Sequence, residues 1–360
     1  MSKVDKAECP PAVVRGRGKR GLQGCHATLI LATMSVNWPR FVELVRAHHR
    51  FLLTSHVRPD CDALGSEIGM AGVLEALGKD VIVVNAQKTP PNLQWIDPQG
   101  RLKTLGADVR LADLEAIEVL MVLDTSAWAQ LGDMAIVLRA TAAKKLVLDH
   151  HVSQDDLGAE AFKNPQAEAT GRLVLEAAEQ LGVQITPDIA APLFAALATD
   201  TGWFRFASTT GDTYRHAGTL VDAGARPTEI YKRLYEQDTL ARLQLVGRTL
   251  GRTRGELDGR LVHTAVFQDD FTSTGALGSD TEDIVNMTLT VSGTEVAVIL
   301  VEQSDGKFKV SFRSRSAVDC SKLAEIFGGG GHKAAAGAML DGPYDAAQRR
   351  VLDAARQAMR

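Results

Sequence analysis

The amino-acid sequence predicts an α/β protein in which a parallel sheet with helices on both faces is joined by a helical linker to a smaller mixed α/β domain. Short apolar runs, such as residues 81–84 and 119–123, alternate with stretches of helical periodicity, which is the pattern of buried parallel strands and their crossover helices. Acidic and histidine residues follow several of these runs, at the end where open parallel sheets bind ligands. The chain of 360 residues also exceeds the size of most single cores.

We expect four segments along the chain. Residues 1–35 are a disordered extension, 36–225 the parallel-sheet domain, 226–258 the helical linker and 259–360 the second domain, with an active site in the cleft between the two domains. The basic residues of the extension resemble a targeting signal, but its apolar patch is short and no A-x-A cleavage site follows. A translation start at Met34 and a functional tail are both left open.

The secondary structure follows from the periodicity, taken in chain order. In the first domain we predict helices at 38–49, 65–77, 111–115, 169–181, 189–198 and 212–223, and strands at 51–53, 80–85, 119–123 and 144–148. In the remainder we predict one charged helix over 230–254, strands at 260–267, 295–301 and 307–313, and helices at 321–327 and from 344 onward.

Charge and cysteine content exclude several classes of protein. The net charge of −4 argues against attraction to long duplex DNA. The four cysteines have no CxxC spacing, which argues against a zinc knuckle and against a disulfide framework. No stretch of about 18 uncharged apolar residues occurs, so we expect no membrane span. A reduced, cytoplasmic setting fits best.

Side chains that ligate metals recur at the ends of the predicted apolar runs. The densest group follows the first strand, where Pro59 fixes the turn between an imidazole and two carboxylates. Any one aspartate alone is a weak signal, because an aspartate at a strand end more often caps the next helix. The joint pattern favours a metal site. Its candidate ligands are His56, Asp60, Asp62, Asp124, His150 and Asp200, and Asp149 and His151 flank His150.

This set mixes carboxylate and imidazole ligands and contains no thiolate, which favours manganese, iron, cobalt or zinc. Five or six such ligands suit two ions rather than one. Two ions about 3.5 to 4 Å apart can activate a hydroxide and stabilise both oxygens of a phosphoryl displacement. We choose Asp124 as the bridging carboxylate because its strand lies between the other contributing strands.

Two further stretches suggest substrate contacts. The run Gly328–Gly331, followed by His332 and Lys333, is expected to form an open loop whose backbone N–H groups can bind an anion. Arg313 ends a strand of the same domain and can bind a phosphate. A flexible surface loop is the alternative for the glycine run.

Together these segments closely resemble the DHH phosphoesterase family, named for a motif of the Asp149-His150-His151 type. The matching pieces are residues 56–66 (HVRPDCDALGS), Asp124, Asp149-His150-His151, residues 198–202 (ATDTG), residues 311–314 (SFRS) and residues 328–333 (GGGGHK). The last two resemble the C-terminal substrate domain that accompanies this family. Cys61 departs from the pattern, since glycine is common there, and is either a tolerated small residue or an oxidisable thiol.

The resemblance implies a role for each matching residue. One manganese ion would be held by His56, Asp60 and Asp124, and the second by Asp62, Asp124, His150 and Asp200. His151 would face the scissile phosphate. Asp149 would act from behind the site, either as an orienting residue or as a metal ligand. The implied substrate contacts are Arg313, Ser314, Gly329, Gly330, Gly331 and His332.

The implied activity is hydrolysis of short oligoribonucleotides or linear dinucleotides such as pApA to mononucleotides, and of 3'-phosphoadenosine 5'-phosphate to AMP. The expected cofactor is two Mn²⁺ ions, with Mg²⁺ or Co²⁺ as substitutes. An inorganic pyrophosphatase and a non-catalytic, metal-dependent nucleotide-binding regulator are the alternatives. Trp203 and Phe204 favour a nucleotide over pyrophosphate, because bases stack on aromatic rings. The oligomeric state is open, a homodimer included.

Overall fold

The computed structural model describes residues 36–360, so the expected disorder of residues 1–35 lies outside the described part of the chain. The described residues form two compact units. The first takes in the chain to Pro90 and Ile96–Ala225, and the second takes in Pro91–Trp95 and Arg226–Arg360. No helix within residues 36–360 is long and apolar enough to cross a membrane.

The first unit is built on a six-stranded sheet in the order β3-β2-β1-β4-β5-β6, and every pairing is parallel. Its strands are β1 (Arg50–Thr54), β2 (Asp80–Asn85), β3 (Leu102–Thr104), β4 (Val119–Leu123), β5 (Lys144–Asp149) and β6 (Glu160–Lys163). Its helices are α1 (Trp38–Ala47), α2 (Cys61–Ala76), α3 (Met134–Ala140), α4 (Thr170–Leu181), α5 (Pro187–Asp200) and α6 (Gly211–Asp222). The predicted parallel sheet is confirmed.

Both faces of this sheet are covered, which explains why its strands are continuous apolar runs. Leu52 and Leu120 pack with Leu138 of α3 on one face. Phe51 and Met121 alternate with them along the same strands and are fully buried, on the face where α2 lies against β1 and β4. The short edge strands β3 and β6 escaped prediction because their residues are partly exposed and lack an apolar run.

Helix α2 begins four residues earlier than the predicted helix at 65–77. Asp60 is its N-cap, and the Asp60 carboxylate accepts hydrogen bonds from the backbone N–H of Asp62 at 3.0 Å and Ala63 at 3.1 Å. A carboxylate that accepts these N–H groups stabilises a helix start. Asp62 therefore lies in the first helical turn rather than in a preceding loop.

The second unit contains a six-stranded mixed sheet in the order β11-β12-β10-β9-β8-β7, in which β8 and β9 are parallel and the other neighbours antiparallel. Its strands are β7 (Arg254–Glu256), β8 (Leu261–Val266), β9 (Val296–Glu302), β10 (Phe308–Ser314), β11 (Gly330–His332) and β12 (Ala335–Leu340). Its helices are α7 (Pro227–Tyr235), α8 (Leu240–Gly251), α9 (Gln268–Thr274), α10 (Ile284–Thr288), α11 (Cys320–Glu325) and α12 (Tyr344–Ala358). The predicted mixed α/β second domain is confirmed.

Two predictions for this part of the chain were wrong in detail. The single helix expected over 230–254 is two helices, because Thr239 caps α8 by accepting the backbone N–H of Arg242 at 3.0 Å. In the expected glycine loop, Gly330 and Gly331 instead belong to strand β11, which pairs with β12. A Cβ on Gly329 would lie only 2.1 Å from the backbone oxygen of Gly337, so close packing of the backbone requires glycine there.

Candidate metal centre

The metal-ligating side chains of the first unit lie at the carboxyl ends of three neighbouring strands. β1 and β4 pair directly although β2 and β3 separate them in sequence, which makes their ends the switch point where open sheets bind ligands. His56 follows β1, Asp124 follows β4, and Asp149 ends β5 directly before His150. Asp200 is the last residue of α5.

The predicted ligands gather into three overlapping clusters whose ligand atoms lie within 4.8 Å of one another. Asp124 and His150 each belong to two of them, so the clusters form one continuous site. The clusters are His56, Asp60 and Asp124; Asp62, His150 and Asp200; and Asp124, His150 and His151.

Both central imidazoles are held in the tautomer that suits a metal ligand. Nδ1 of His56 lies 3.0 Å from the carbonyl oxygen of Val57, and Nδ1 of His150 lies 3.2 Å from that of Ala167. A carbonyl only accepts hydrogen bonds, so Nδ1 carries the proton and Nε2 presents a lone pair. These Nε2 atoms lie 3.3 Å from an Asp124 oxygen and 3.4 Å from an Asp200 oxygen, respectively.

Asp124 contributes one oxygen to each side of the site. Its Oδ2 lies 3.3 Å from Nε2 of His56, and its Oδ1 lies 3.5 Å from Nε2 of His150. Its φ of +61° aims the carboxylate into the sheet edge, a conformation that aspartate tolerates better than most residues. Two ligands bonded to one ion at about 2.1 Å and at right angles are about 3 Å apart, so the observed spacings are of the size that shared ions require.

The carboxylates of this site lack a permanent cation. Within residues 36–360, no lysine or arginine forms an ion pair with Asp62, Asp124 or Asp200. Burial, together with the repulsion of neighbouring aspartates, raises the pKa of Asp124 well above its ordinary value and that of Asp200 to about 6. Burial likewise raises the pKa of Asp62. A bound divalent cation would remove this penalty, so the residues fit a metal site.

Thr170 and Gly171, at the start of α4, were missed as site residues. Their backbone N–H groups donate to the two oxygens of Asp62 at 2.8 and 2.9 Å, and the Thr170 hydroxyl donates to Asp124 at 2.9 Å. In the sequence both residues lie within the predicted helix at 169–181, with no signal of a role at the site. In the structure the helix start orients two predicted ligands, which places the positive end of α4 at the acidic centre.

Asp149 is engaged in a different way from the other aspartates. Its Oδ1 accepts from the His151 Nδ1–H at 2.8 Å, and its Oδ2 accepts from Lys163 and from Ser126, each at 2.8 Å. Burial alone would raise the pKa of Asp149, but these hydrogen bonds and the Lys163 charge outweigh it and lower that pKa. Asp149 therefore orients His151, and its oxygens are not directed at the clusters.

His151 is the half-exposed member of the motif. The hydrogen bond to Asp149 raises the pKa of His151 and fixes the proton of Nδ1. Cys61, by contrast, is buried, and burial raises the pKa of its thiol to about 12. A thiol that stays protonated oxidises slowly, which supports the tolerated small residue over the redox-sensitive one.

In the second unit the sheet brings two predicted substrate contacts onto one face. Arg313 of β10 pairs with Ala335 of β12, and Ala335 pairs with His332 of β11, so the three side chains form a row on one side. The next row on the same side is Ser311, Gly337 and Gly330. Because two of these three residues are glycines, the surface beside Arg313 and His332 is shallow. We call this surface the open face. Arg313, Lys309 and Ser311 also line a cavity of about 320 Å³.

Ser314 is less available than predicted. Its Oγ accepts the backbone N–H of Ser316 at 3.1 Å and lies 3.2 Å from the Ser316 hydroxyl, so it closes a local turn. Gly329 is tied by its N–H to the carbonyl of Ala324 at 3.0 Å and does not offer that group to an anion. Gly330, Gly331 and His332 are exposed.

The sheet, its switch point and the His/Asp clusters define a phosphoesterase of the DHH type. The chain belongs to the DHH family: the model of the DHH family N-terminal domain matches residues 50–197, and that of the DHHA1 domain matches residues 260–360. It is 33% identical over 311 residues to the bifunctional oligoribonuclease and PAP phosphatase NrnA of Thermus thermophilus, covering 85% of this chain and 89% of that protein.

Two further comparisons agree with this membership. The chain is 26% identical over 319 residues to the Bacillus subtilis protein of the same name, covering 86% of this chain and 96% of that one. A crystal structure of an exopolyphosphatase-related protein from Bacteroides fragilis superposes with a TM-score of 0.74 at 24% identity, covering 89% of this chain and 94% of that chain. The likeness to the Bacteroides fragilis structure concerns the fold alone.

Proposed function

We propose that the protein is a manganese-dependent phosphoesterase that hydrolyses short oligoribonucleotides or linear dinucleotides to mononucleotides, and 3'-phosphoadenosine 5'-phosphate to AMP. The observation that carries the proposal is the continuous His/Asp site centred on Asp124, whose buried carboxylates have no lysine or arginine partner within residues 36–360. The similarity to proteins named as bifunctional oligoribonuclease and PAP phosphatase supports this substrate class.

The ligand assignment follows the contacts of the site. His56, Asp60 and Asp124 would hold one ion, and Asp62, His150 and Asp200 the other, with Asp124 shared. Carboxylate and imidazole donors without thiolate suit manganese, with Mg²⁺ or Co²⁺ as substitutes. When bound, the ions supply Lewis-acid activation of water and neutralise charge on the phosphate.

The chain's own residues orient the metal ligands and supply a proton donor. Thr170 and Gly171 hold Asp62 through their N–H groups, so that carboxylate keeps its orientation whether or not it is protonated. His151 directs its Nδ1 proton toward Asp149, and its side chain is half-exposed. With its pKa raised, protonated His151 can donate from Nε2 to a phosphoryl or leaving-group oxygen. Arg313 and His332, on the open face, would bind another part of the nucleotide.

Product analysis tests the proposal. A 5'-labelled RNA trimer, pApA, 3'-phosphoadenosine 5'-phosphate and pyrophosphate are incubated at equal concentration with Mn²⁺, Mg²⁺ or Co²⁺. We expect mononucleotides from the trimer or pApA, AMP from the bisphosphate, and the highest rate with Mn²⁺. Faster turnover of pyrophosphate would favour a pyrophosphatase. Nucleotide that binds but stays unchanged would favour a non-catalytic regulator.

A further inference from the structure

The turn that follows Asp200 has an unusual backbone. Trp203 and Phe204 both have positive φ, at +59° and +63°, although neither is a glycine. Such conformations cost energy and persist only where the surroundings fix them. Here Thr201 fixes them: it is fully buried, and its Oγ donates to the Leu197 carbonyl at 2.8 Å and accepts the Phe204 N–H at 3.1 Å.

The same turn holds the next two residues close to the metal centre. The N–H groups of Arg205 and Phe206 both donate to the carbonyl of Thr201, each at 3.0 Å, and Thr201 directly follows the ligand Asp200. The strained turn thus sets the position of Arg205 and Phe206 relative to the end of α5.

The aromatic residues of the turn divide into two kinds. Trp203 and Phe204 pack against Phe194 of α5, with ring centroids 6.0 and 6.1 Å away, so the predicted stacking pair is engaged with the protein. The Phe206 ring lies against the backbone of Gly202 and yet is 54% exposed. An aromatic ring supported on one side and open on the other is a stacking surface.

Arg205 adds a charge of the sign that a nucleotide requires. Its Nε donates to the Gly202 carbonyl at 2.7 Å, and no carboxylate among the described residues pairs with its guanidinium. The two Nη groups are left to bind an anion. A cation that stays unpaired this close in sequence to the site residue Asp200 has a position suited to the phosphate of a ligand.

We propose that Arg205 and Phe206 form a nucleotide subsite beside the metal centre, in which Phe206 stacks on a base of the substrate and Arg205 binds a phosphate. This subsite rests on the proposed function, because it selects a nucleotide for the same metal centre. The first unit then contributes base recognition of its own, in addition to any contact made by the open face. Phe206 takes the stacking role that the sequence suggested for Trp203 and Phe204.

Two substrates distinguish the stacking contact of Phe206 from the phosphate contact of Arg205. Phe206→Leu and Arg205→Gln are assayed with Mn²⁺ on pApA and on a doubly abasic analogue of pApA that keeps the ribose-phosphate backbone. Phe206→Leu should raise KM for pApA by about five- to a hundredfold, since stacking on an aromatic ring carries that effect, and leave the abasic analogue unchanged. Phe206→Tyr should restore the wild-type value. Arg205→Gln should raise KM for both substrates.

Matched controls lie in the same unit, in the segment that connects β3 to β4. Leu111→Ala removes a side chain that is 52% exposed, and Arg110→Gln removes an exposed cation paired with Asp113. Both should leave the kinetics unchanged. Equal effects of Phe206→Leu on pApA and on the abasic analogue would overturn the stacking role, and so would no effect on either.

A binding measurement keeps this proposal distinct from the proposed function. A dinucleotide with 2-aminopurine in place of adenine reports stacking by fluorescence quenching, without turnover. Quenching by the wild-type protein that disappears in Phe206→Leu supports the subsite even if no substrate is hydrolysed. Equal quenching by both proteins overturns the subsite even if hydrolysis is rapid.

Discussion

Buried carboxylates occur in both units, and their partners differ. Asp270 in the second unit is fully buried, and both its oxygens pair with Arg252. Although burial alone would raise its pKa, the hydrogen bonds from Arg252 and Phe267 lower it. Asp124 in the first unit is equally buried, but no lysine or arginine within residues 36–360 pairs with it, so burial and the repulsion of neighbouring aspartates raise its pKa.

The difference separates a structural carboxylate from a functional one. A buried carboxylate that carries its own cation stabilises the fold whether or not a ligand binds. A buried cluster without one is destabilising until a cation arrives, so it is retained for binding. Asp149 supports this distinction within the first unit, since it pairs with Lys163 and is not directed at the clusters.

The largest effect is expected from Asp124→Asn. The change removes the charge that two of the three clusters share, so we expect kcat/KM to fall by more than about a thousandfold. The metal-free protein should keep its thermal stability or gain some, because a repelled buried charge is lost. Titration calorimetry with Mn²⁺ and thermal melts in EDTA check both parts. Turnover within tenfold of wild type would sink the shared role of Asp124.

Asp270→Asn is the matching change in the second unit. It leaves the Arg252 guanidinium without its bidentate partner, and we expect a loss of about 2 kcal/mol in the free energy of unfolding. Urea denaturation measures this loss, and Mn²⁺ affinity should not change. If the urea midpoint stayed at the wild-type value, Asp270 would not be the structural counterpart of Asp124.

A smaller effect is expected where the protein positions a ligand. A Cβ on Gly171 would lie 2.6 Å from the Ala196 Cβ and 3.4 Å from Oδ1 of Asp62. Gly171→Ala should therefore push α4 away from Ala196 of α5 and disturb the N–H groups that donate to Asp62, costing about 2 kcal/mol of stability and weakening Mn²⁺ binding.

Gly218→Ala in α6 is the control for that change. A Cβ on Gly218 meets no atom within 4 Å, so alanine should stabilise the helix by about 0.5 to 1 kcal/mol. The melting temperatures of the two variants should move in opposite directions. A fall for both would mean that the backbone, rather than crowding against Ala196, sets the cost.

The sequence predicted the sheet well and singled out side chains that the fold brings together, because both depend on local patterns. The runs at 80–85 and 119–123 coincide with β2 and β4, and the predicted ligands do lie together. Thr170 and Gly171 could not be predicted as positioning residues, because their contacts to Asp62 span more than a hundred positions in the chain. The pairing of Gly330 and Gly331 with β12 was missed because periodicity does not reveal how closely two strands approach.

A pH dependence of stability is expected from a buried carboxyl that lies beside the centre rather than in it. Glu67 of α2 is fully buried and accepts a hydrogen bond from Asn85 at 2.8 Å, and Asn85 in turn accepts the N–H of Ser55, next to His56. Burial raises the pKa of Glu67 to about 8, above the ordinary value of about 4.3. Between these two values the folded protein holds a proton that the unfolded chain has lost, so stability falls as pH rises.

Glu67→Gln keeps the shape and removes the titration. Its free energy of unfolding relative to wild type should therefore increase from about pH 4.3 to about pH 8 and stay constant above. Asp270→Asn should show the reverse trend on the acid side, because a lowered pKa contributes stability that is lost as pH falls below about 3.9. Urea denaturation from below about pH 3.9 to above about pH 8 measures both trends. A flat difference for Glu67→Gln would mean that Glu67 ionises freely, and that water reaches the carboxyl beneath the metal centre.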